Sequence, residues 1–269
     1  MEEIRYGYGL PPDLSAHGAG IDQLINILHI FMIVLFVGWG LFFIFTLVKF
    51  RQRQGHKASY ESASSKLPKF VEVGVVLFEA FLLIGLSFPI WNYYKTNPPA
   101  EKDALSVRVV GQQFVWNIHY PGEDGKFGNT NIKFISDSNP IGVDPEDPAS
   151  ADDFFTINQM NLPVNKPIIS QISSKDVIHS FGVPVLRLKQ DATPGMAVPI
   201  WFTAVKTGVF EIHCSQLCGV GHSLMKGTIT VQSPEDFKKW WDEQPRPWKK
   251  EPPKPAEAKT RHTTEAQKG

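Results

Sequence analysis

The chain has 269 residues, 42% of them hydrophobic and 20% charged, and its 27 basic and 27 acidic side chains cancel to a formal net charge of zero. That length holds one large or two modest domains, and the composition is ordinary for a folded protein. With no net positive charge and no basic stripe, nothing points to nucleic acid as a partner.

The first residues, MEEIRYGYGLPPDLSAHG, are acidic and broken by proline. They lack the cationic start and small-residue cleavage site of a secretory signal, so residues 1–20 are expected to form an extracytoplasmic segment. From Leu24 to Val48 the chain reads LINILHIFMIVLFVGWGLFFIFTLV, about 25 residues without a formal charge. At ~1.5 Å rise per residue that run exceeds the ~30 Å hydrocarbon thickness of a bilayer, and it is expected to direct its own insertion. A second apolar run, Phe70 to Trp91, is also long enough to span but carries Glu72 and Glu79. The two runs predict a helical hairpin over residues 21–96. Lys49, Arg51, Arg53, Lys57, Lys66 and Lys69 face a single Glu61 in the connector, which places the connector in the cytoplasm and both termini outside. The alternative, two core helices of a soluble protein, runs against the length of both runs and the basic connector.

Glu72 and Glu79 are seven residues apart and share one helical face. Ionisable groups in a span are as a rule functional or paired. Solvation at the headgroup level is the plainer reading of Glu72, and Glu79 is expected to be hydrogen-bonded or to face a partner subunit. His29, inside the first run, is expected to pack against a neighbouring subunit, and His17, His56, His119 and His262 to be surface or loop residues.

From about Leu105 to Val231 the pattern changes to short β-rich runs between Gly, Pro, Asn and Asp. LSVRVVGQQFVWNIHY, KPIISQISS, VPIWFTAV, GVFEIHC and MKGTITVQ alternate or cluster β-branched and aromatic residues and predict an all-β sandwich or barrel over 105–232. PGEDGKFG, at 121–128, reads as a hairpin turn, and Ile135 to Asp153 as a long surface loop. SPEDFKKWWDE predicts a short helix at 233–243 with Ser233 as N-cap. Residues 244–269, rich in Pro, Lys and Glu, predict a disordered tail.

Both cysteines of the chain fall in HCSQLCGVGHSLMKG, residues 213–227. A disulfide between Cys214 and Cys218 is one use for them. A bridge needs no histidine or methionine, however, and His222 and Met225 follow in the same loop. A second imidazole, His179 in KDVIHSFGVP, also stands at a strand end. Thiolate, thioether and imidazole together favour copper; zinc remains open as a Cys2His2 site, with the methionine against it. A single blue-copper centre uses one thiolate, and this loop has two. The simplest use of the surplus is two copper ions sharing both sulfurs, with the Gln216 carbonyl placed as a further donor.

The order His179, Cys214, Cys218, His222, Met225, behind two spans and an aromatic segment, resembles subunit II of haem-copper cytochrome c oxidases. That family carries the dinuclear CuA centre on a cupredoxin domain, and the likeness covers about residues 20–232. It implies that Cys214 and Cys218 bridge two copper ions, that His179 and Met225 complete one, and that His222 and the Gln216 carbonyl complete the other. It also implies an extracytoplasmic electron donor, cytochrome c or an equivalent protein, haem in subunit I as acceptor, further oxidase subunits and membrane lipid as partners, and a bacterial plasma membrane as the simplest location. The enzyme would reduce oxygen to water and translocate protons, with the oxygen chemistry in subunit I. LKQDATPG, from Leu188 to Gly195, resembles a family segment near the interface with that subunit.

Two departures bear on function. The family usually has Glu where this chain has Gln216, whose amide brings no charge, so a magnesium ion shared with subunit I is doubtful. The family commonly has Trp, as the surface aromatic that receives the electron, where this chain has Phe114. Trp116 reads first as a core aromatic and second as an electron relay. Glu72 matches the family's acid at the mouth of a proton path. Glu123, Asp124, Asp144, Glu146, Asp147, Asp152 and Asp153 could attract a basic cytochrome, though a solvated loop is the plainer reading. A membrane-anchored copper-delivery module and a zinc or disulfide scaffold are the rival functions.

Overall fold

A computed structural model describes residues 9–55, 57, 60 and 65–249. Helix α1 runs Gly18–Lys49 and is apolar on every side, with Gly18 its only buried residue. The second span is helical from Leu67 to Thr96. In both helices the most apolar stretch is almost wholly uncovered by the chain itself, 0% and 6% buried, which removes the soluble-core alternative. A core helix hides its apolar surface; one apolar all round and uncovered needs lipid or a partner.

The second span is not one uniform helix. It divides into α2 (Leu67–Ala80), a π-helical stretch from Phe81 to Ser87, and α3 (Phe88–Thr96). Pro89, in the first turn of α3, has no amide hydrogen to offer the preceding turn. The wider register absorbs that gap: the Phe88 amide donates to Leu83 O, five residues back, and Ser87 Oγ donates to Leu82 O at 3.0 Å. Phe31 of α1 packs on Phe78 of α2 with ring centroids 4.8 Å apart. Glu72 and Glu79 both lie exposed on α2, and His29 is exposed on α1 with Nδ1 2.8 Å from Ile25 O.

Ten strands follow among the described residues: β1 (Leu105–Gln112), β2 (Val115–Tyr120), β3 (Phe154–Ile157), β4 (Gln159–Pro163), β5 (Pro167–Ser174), β6 (His179–Val183), β7 (Leu188–Ala192), β8 (Val198–Thr203), β9 (Gly208–Cys214) and β10 (Lys226–Gln232). They form two five-stranded sheets, ordered β3-β2-β1-β5-β8 and β4-β10-β9-β6-β7. Alternation decides which side chains face inward. Val107 and Val109 of β1 and Ile168 and Ile172 of β5 are buried from one sheet. Phe210 and Ile212 of β9 and Ile229 and Val231 of β10 are buried from the other, which makes a sandwich. The runs read as strands became β1, β2, β5, β8, β9 and β10. The four short strands β3, β4, β6 and β7 had no comparable alternation to show them.

His119 is a correction to the sequence reading. It is 1% exposed, because β2 is buried along its length from Trp116 to Tyr120 rather than on one face. Tyr120 closes that strand: its hydroxyl donates to Asn161 O and accepts from Asn161 N at 2.8 Å. Helix α4 (Pro234–Asp242) covers it with Trp240 and Trp241, ring centroids 5.5 and 5.7 Å away. Ser233 Oγ accepts from the Asp236 amide at 3.1 Å, the cap expected from the sequence.

The turn at 121–128 does form, with Gly122 and Gly125 at φ +68° and +70°. It does not close a hairpin, since the next strand begins only at Phe154. Residues 121–154 and the described residues from Pro245 onward make a separate compact unit. Its carboxylates hold its own backbone. Asp152 accepts from the Glu123 and Asp124 amides, Asp153 from Gly128, and Asp147 from Asn129 and Ala149. The Asn129 amide, then that of Ala149, holds the Asp147 carboxyl below its usual range. The tail expected from 244 on falls mainly on residues outside the described ones, as do His56, Glu61 and His262.

Two features join the β domain to the start of α1. Leu14 is buried, its amide donates to Val185 O and its carbonyl accepts from Val205, so residues 14–16 run alongside the end of β8. Arg187, at φ +52°, grips Asp22 of α1 in a two-pronged ion pair of 2.6 and 2.7 Å, and also donates to Pro11 O and Pro184 O.

Candidate metal centre

Three neighbouring strands bring the donors together. Phe181 of β6 stands opposite Cys214 of β9, and Lys226 of β10 opposite His213. Cys214 ends β9 on the same inward side as Phe210 and Ile212, because side chains alternate along a strand. Met225 immediately precedes β10, and its carbonyl accepts from the Cys214 amide at 3.1 Å. His179 is the first residue of β6, fully buried. The remaining donors come from the loop between β9 and β10, whose 3-10 turn His222–Leu224 folds His222 back toward the sulfurs.

Both cysteines are free and buried, with sulfurs 3.8 Å apart. Cys214 Sγ lies 4.0 Å from His179 Nδ1 and 3.1 Å from the Gln216 carbonyl oxygen. Cys218 Sγ lies 3.7 Å from His222 Nδ1 and 3.8 Å from Met225 Sδ. The donor atoms of His179, Cys214 and Cys218 all fall within 4.8 Å of one another. Sulfurs at this spacing can both reach one ion at a metal–thiolate distance of about 2.3 Å. The residues therefore fit a CuA site: two soft thiolates, a thioether and two imidazoles, with no carboxylate among the donors. Burial first, then the neighbouring Cys214 and the charge of Asp176, pushes the Cys218 thiol up to about 11. Metal binding must displace that proton.

The surroundings include two residues that the sequence reading passed over. Asp176 Oδ1 accepts from His179 Nε2 at 2.8 Å, and its Oδ2 accepts from the Gln113 amide at 2.7 Å. Burial raises its carboxyl, but the bonds from Gln113, His179 and Val177 outweigh it and hold Asp176 below its usual range. Gln113 then donates through Nε2 to Cys218 O at 2.6 Å. The only sequence signal for either was proximity: Asp176 stands three residues before His179, and Gln113 just before Phe114.

Trp116 is 0% exposed and meets His179 edge-on at 6.0 Å and Phe181 at 5.4 Å. It is a core aromatic and also touches a candidate ligand. Phe114 is half-buried and lies close against the β9–β10 loop. A Cβ at Gly221 would come within 2.5 Å of its ring, and one at Gly219, itself at φ +138°, within 3.1 Å. Only glycine permits that approach. Leu217, Val220 and Leu224 stand out from the same loop, and the Gln216 side chain is exposed while its carbonyl turns to the sulfur. Glu72 lies on α2 and is not among the donors.

Residues 105–233 match the family described as cytochrome c oxidase subunit II, periplasmic domain. The chain is 34% identical over 226 residues to an alternative cytochrome c oxidase subunit 2 from Bradyrhizobium diazoefficiens, covering 83% of this chain and 80% of that one. It is 28% identical over 253 residues to cytochrome c oxidase subunit 2 from Cereibacter sphaeroides, covering 88% and 80%. Among solved structures, the periplasmic domain of subunit II of cytochrome oxidase from Bradyrhizobium japonicum is 34% identical. That match covers 54% of this chain and 95% of the other, with a TM-score of 0.40.

Proposed function

This chain belongs to the cytochrome c oxidase subunit II family, and on that premise we propose that it is the subunit through which electrons reach the oxidase. Cytochrome c would dock outside the membrane, and haem in subunit I would receive the electrons for reduction of oxygen to water coupled to proton translocation. Cys214, Cys218, His179, Met225, His222 and the Gln216 carbonyl are the donors that would hold two copper ions. When bound, such a pair exchanges a single electron with small changes in bond length, which keeps the reorganisation cost low.

The observation that carries this reading is the convergence of two free, buried thiols with a thioether and two imidazoles at the ends of three adjacent strands and in the loop that joins two of them. Strand ends fix the donor positions, and the buried sulfurs exclude water. Phe114 and Val220 offer the donor protein an apolar contact beside the loop, with Trp116 behind His179 as a second relay candidate. Glu72, exposed on α2, is the candidate for the mouth of a proton path into subunit I. An uncharged Gln216 would hold a magnesium ion weakly or not at all. The hydrogen bonds of Leu14 to Val185 and Val205 support a common side for the N-terminal segment and the copper domain, extracytoplasmic in a bacterial plasma membrane.

Electron paramagnetic resonance of the purified oxidase tests this. Unpaired spin spread over two copper nuclei is expected; a mononuclear copper signal, zinc, or a metal-free Cys214–Cys218 disulfide would overturn the assignment.

A further inference from the structure

We propose that Asp176 is a positioning residue of the metal centre, which holds His179 as an Nδ1 ligand and, through its negative charge, sets the reduction potential of the bound copper. This rests on the copper assignment above. A carboxylate only accepts hydrogen bonds, so its 2.8 Å contact with His179 Nε2 places the hydrogen on Nε2 and leaves the Nδ1 lone pair facing Cys214 Sγ.

The carboxylate is itself held. Oδ1 also accepts from the Val177 amide at 2.7 Å, Ser174 Oγ donates to Val177 O, and the Asp176 amide donates to Ser174 Oγ at 3.3 Å, so the turn after β5 is closed on itself. Oδ2 takes the Gln113 amide, and Gln113 Nε2 braces the Cys218 carbonyl. One side chain thus connects a histidine ligand on β6 to the loop that carries the other cysteine. An anionic acceptor on the far nitrogen of a metal-bound imidazole makes it a stronger donor and favours the more oxidised metal.

The test is a redox titration of the intact oxidase, followed by the copper signal, in wild type, Asp176→Asn and Asp176→Glu. The asparagine variant should retain two coppers and titrate at a higher potential, with altered copper hyperfine splitting. The glutamate variant, which restores the charge, should return toward wild type. If the asparagine variant does not assemble, Asp176→Ser takes its place with the same expectation. An unchanged potential in a fully loaded neutral variant overturns the proposal. So does a glutamate variant shifted as far as the neutral one, since that leaves packing as the cause. A wild-type protein without paired copper instead overturns the metal assignment itself.

Discussion

The spacing of Cys214, Cys218, His222 and Met225 could be read as one donor set because ligand chemistry restricts which residue types can share a loop, and the four side chains do lie together. Their partner His179 was legible as an imidazole at a strand end. Asp176 and Gln113 were not, because their value arises only when β5, β6 and the β1–β2 turn meet. The same limit explains His119: nothing in NIHY reveals that both sides of β2 are covered. At this scale, Cys218→Ser should abolish the paired-copper signal. Met225→Leu, nearly isosteric at a fully buried position, should keep both coppers and shift their potential. Metal analysis with redox titration checks both, and normal paired copper in the serine variant contradicts the assignment. The Cys218 thiol, raised by burial to about 11, is protonated at neutral pH and must release its proton on loading. Apparent copper affinity should therefore climb with pH by about tenfold per unit for that proton, as competition titrations between about pH 6 and 8 would show.

Among the elements, the strands with clean alternation were legible, and so was α4 from its Ser233 cap. β6 was hidden because every one of its residues is buried, and a fully buried strand has no polar face to mark its period. The π-helical stretch was hidden because it follows from one missing amide at Pro89 rather than from any apolar pattern. The acidic loop was legible as a loop, but Asp144, Asp147, Asp152 and Asp153 turn out to be acceptors for backbone amides of the same unit. The tie between Arg187 and Asp22 also belongs to this scale. Arg187 is only 7% exposed at its side chain and Asp22 24%, so the pair is partly shielded from solvent. Arg187→Ala should destabilise the solubilised protein by about 2 kcal/mol, below the ~3–5 kcal/mol of fully buried pairs, and leave copper content unchanged. A thermal melt compared with copper analysis distinguishes this from damage to the metal loop.

For the whole molecule, the hairpin and the β domain were both legible, since length and hydropathy betray a span as surely as period two betrays a strand. What no local pattern could show is that the chain's beginning pairs with a strand near residue 204. On the proposed orientation, protease added outside sealed cells should cut the segment 121–154 and spare residues 50–65; cleavage of the connector alone would invert it.

The hydrogen bonds between Leu14 and Val205 also impose a timetable. Leu14 leaves the ribosome some 190 residues before its partner, and both long apolar helices lie between the two in the chain. The pairing edge of residues 14–16 therefore stays open through most of synthesis. Its closure is the step that fastens the N-terminal segment to the finished β domain.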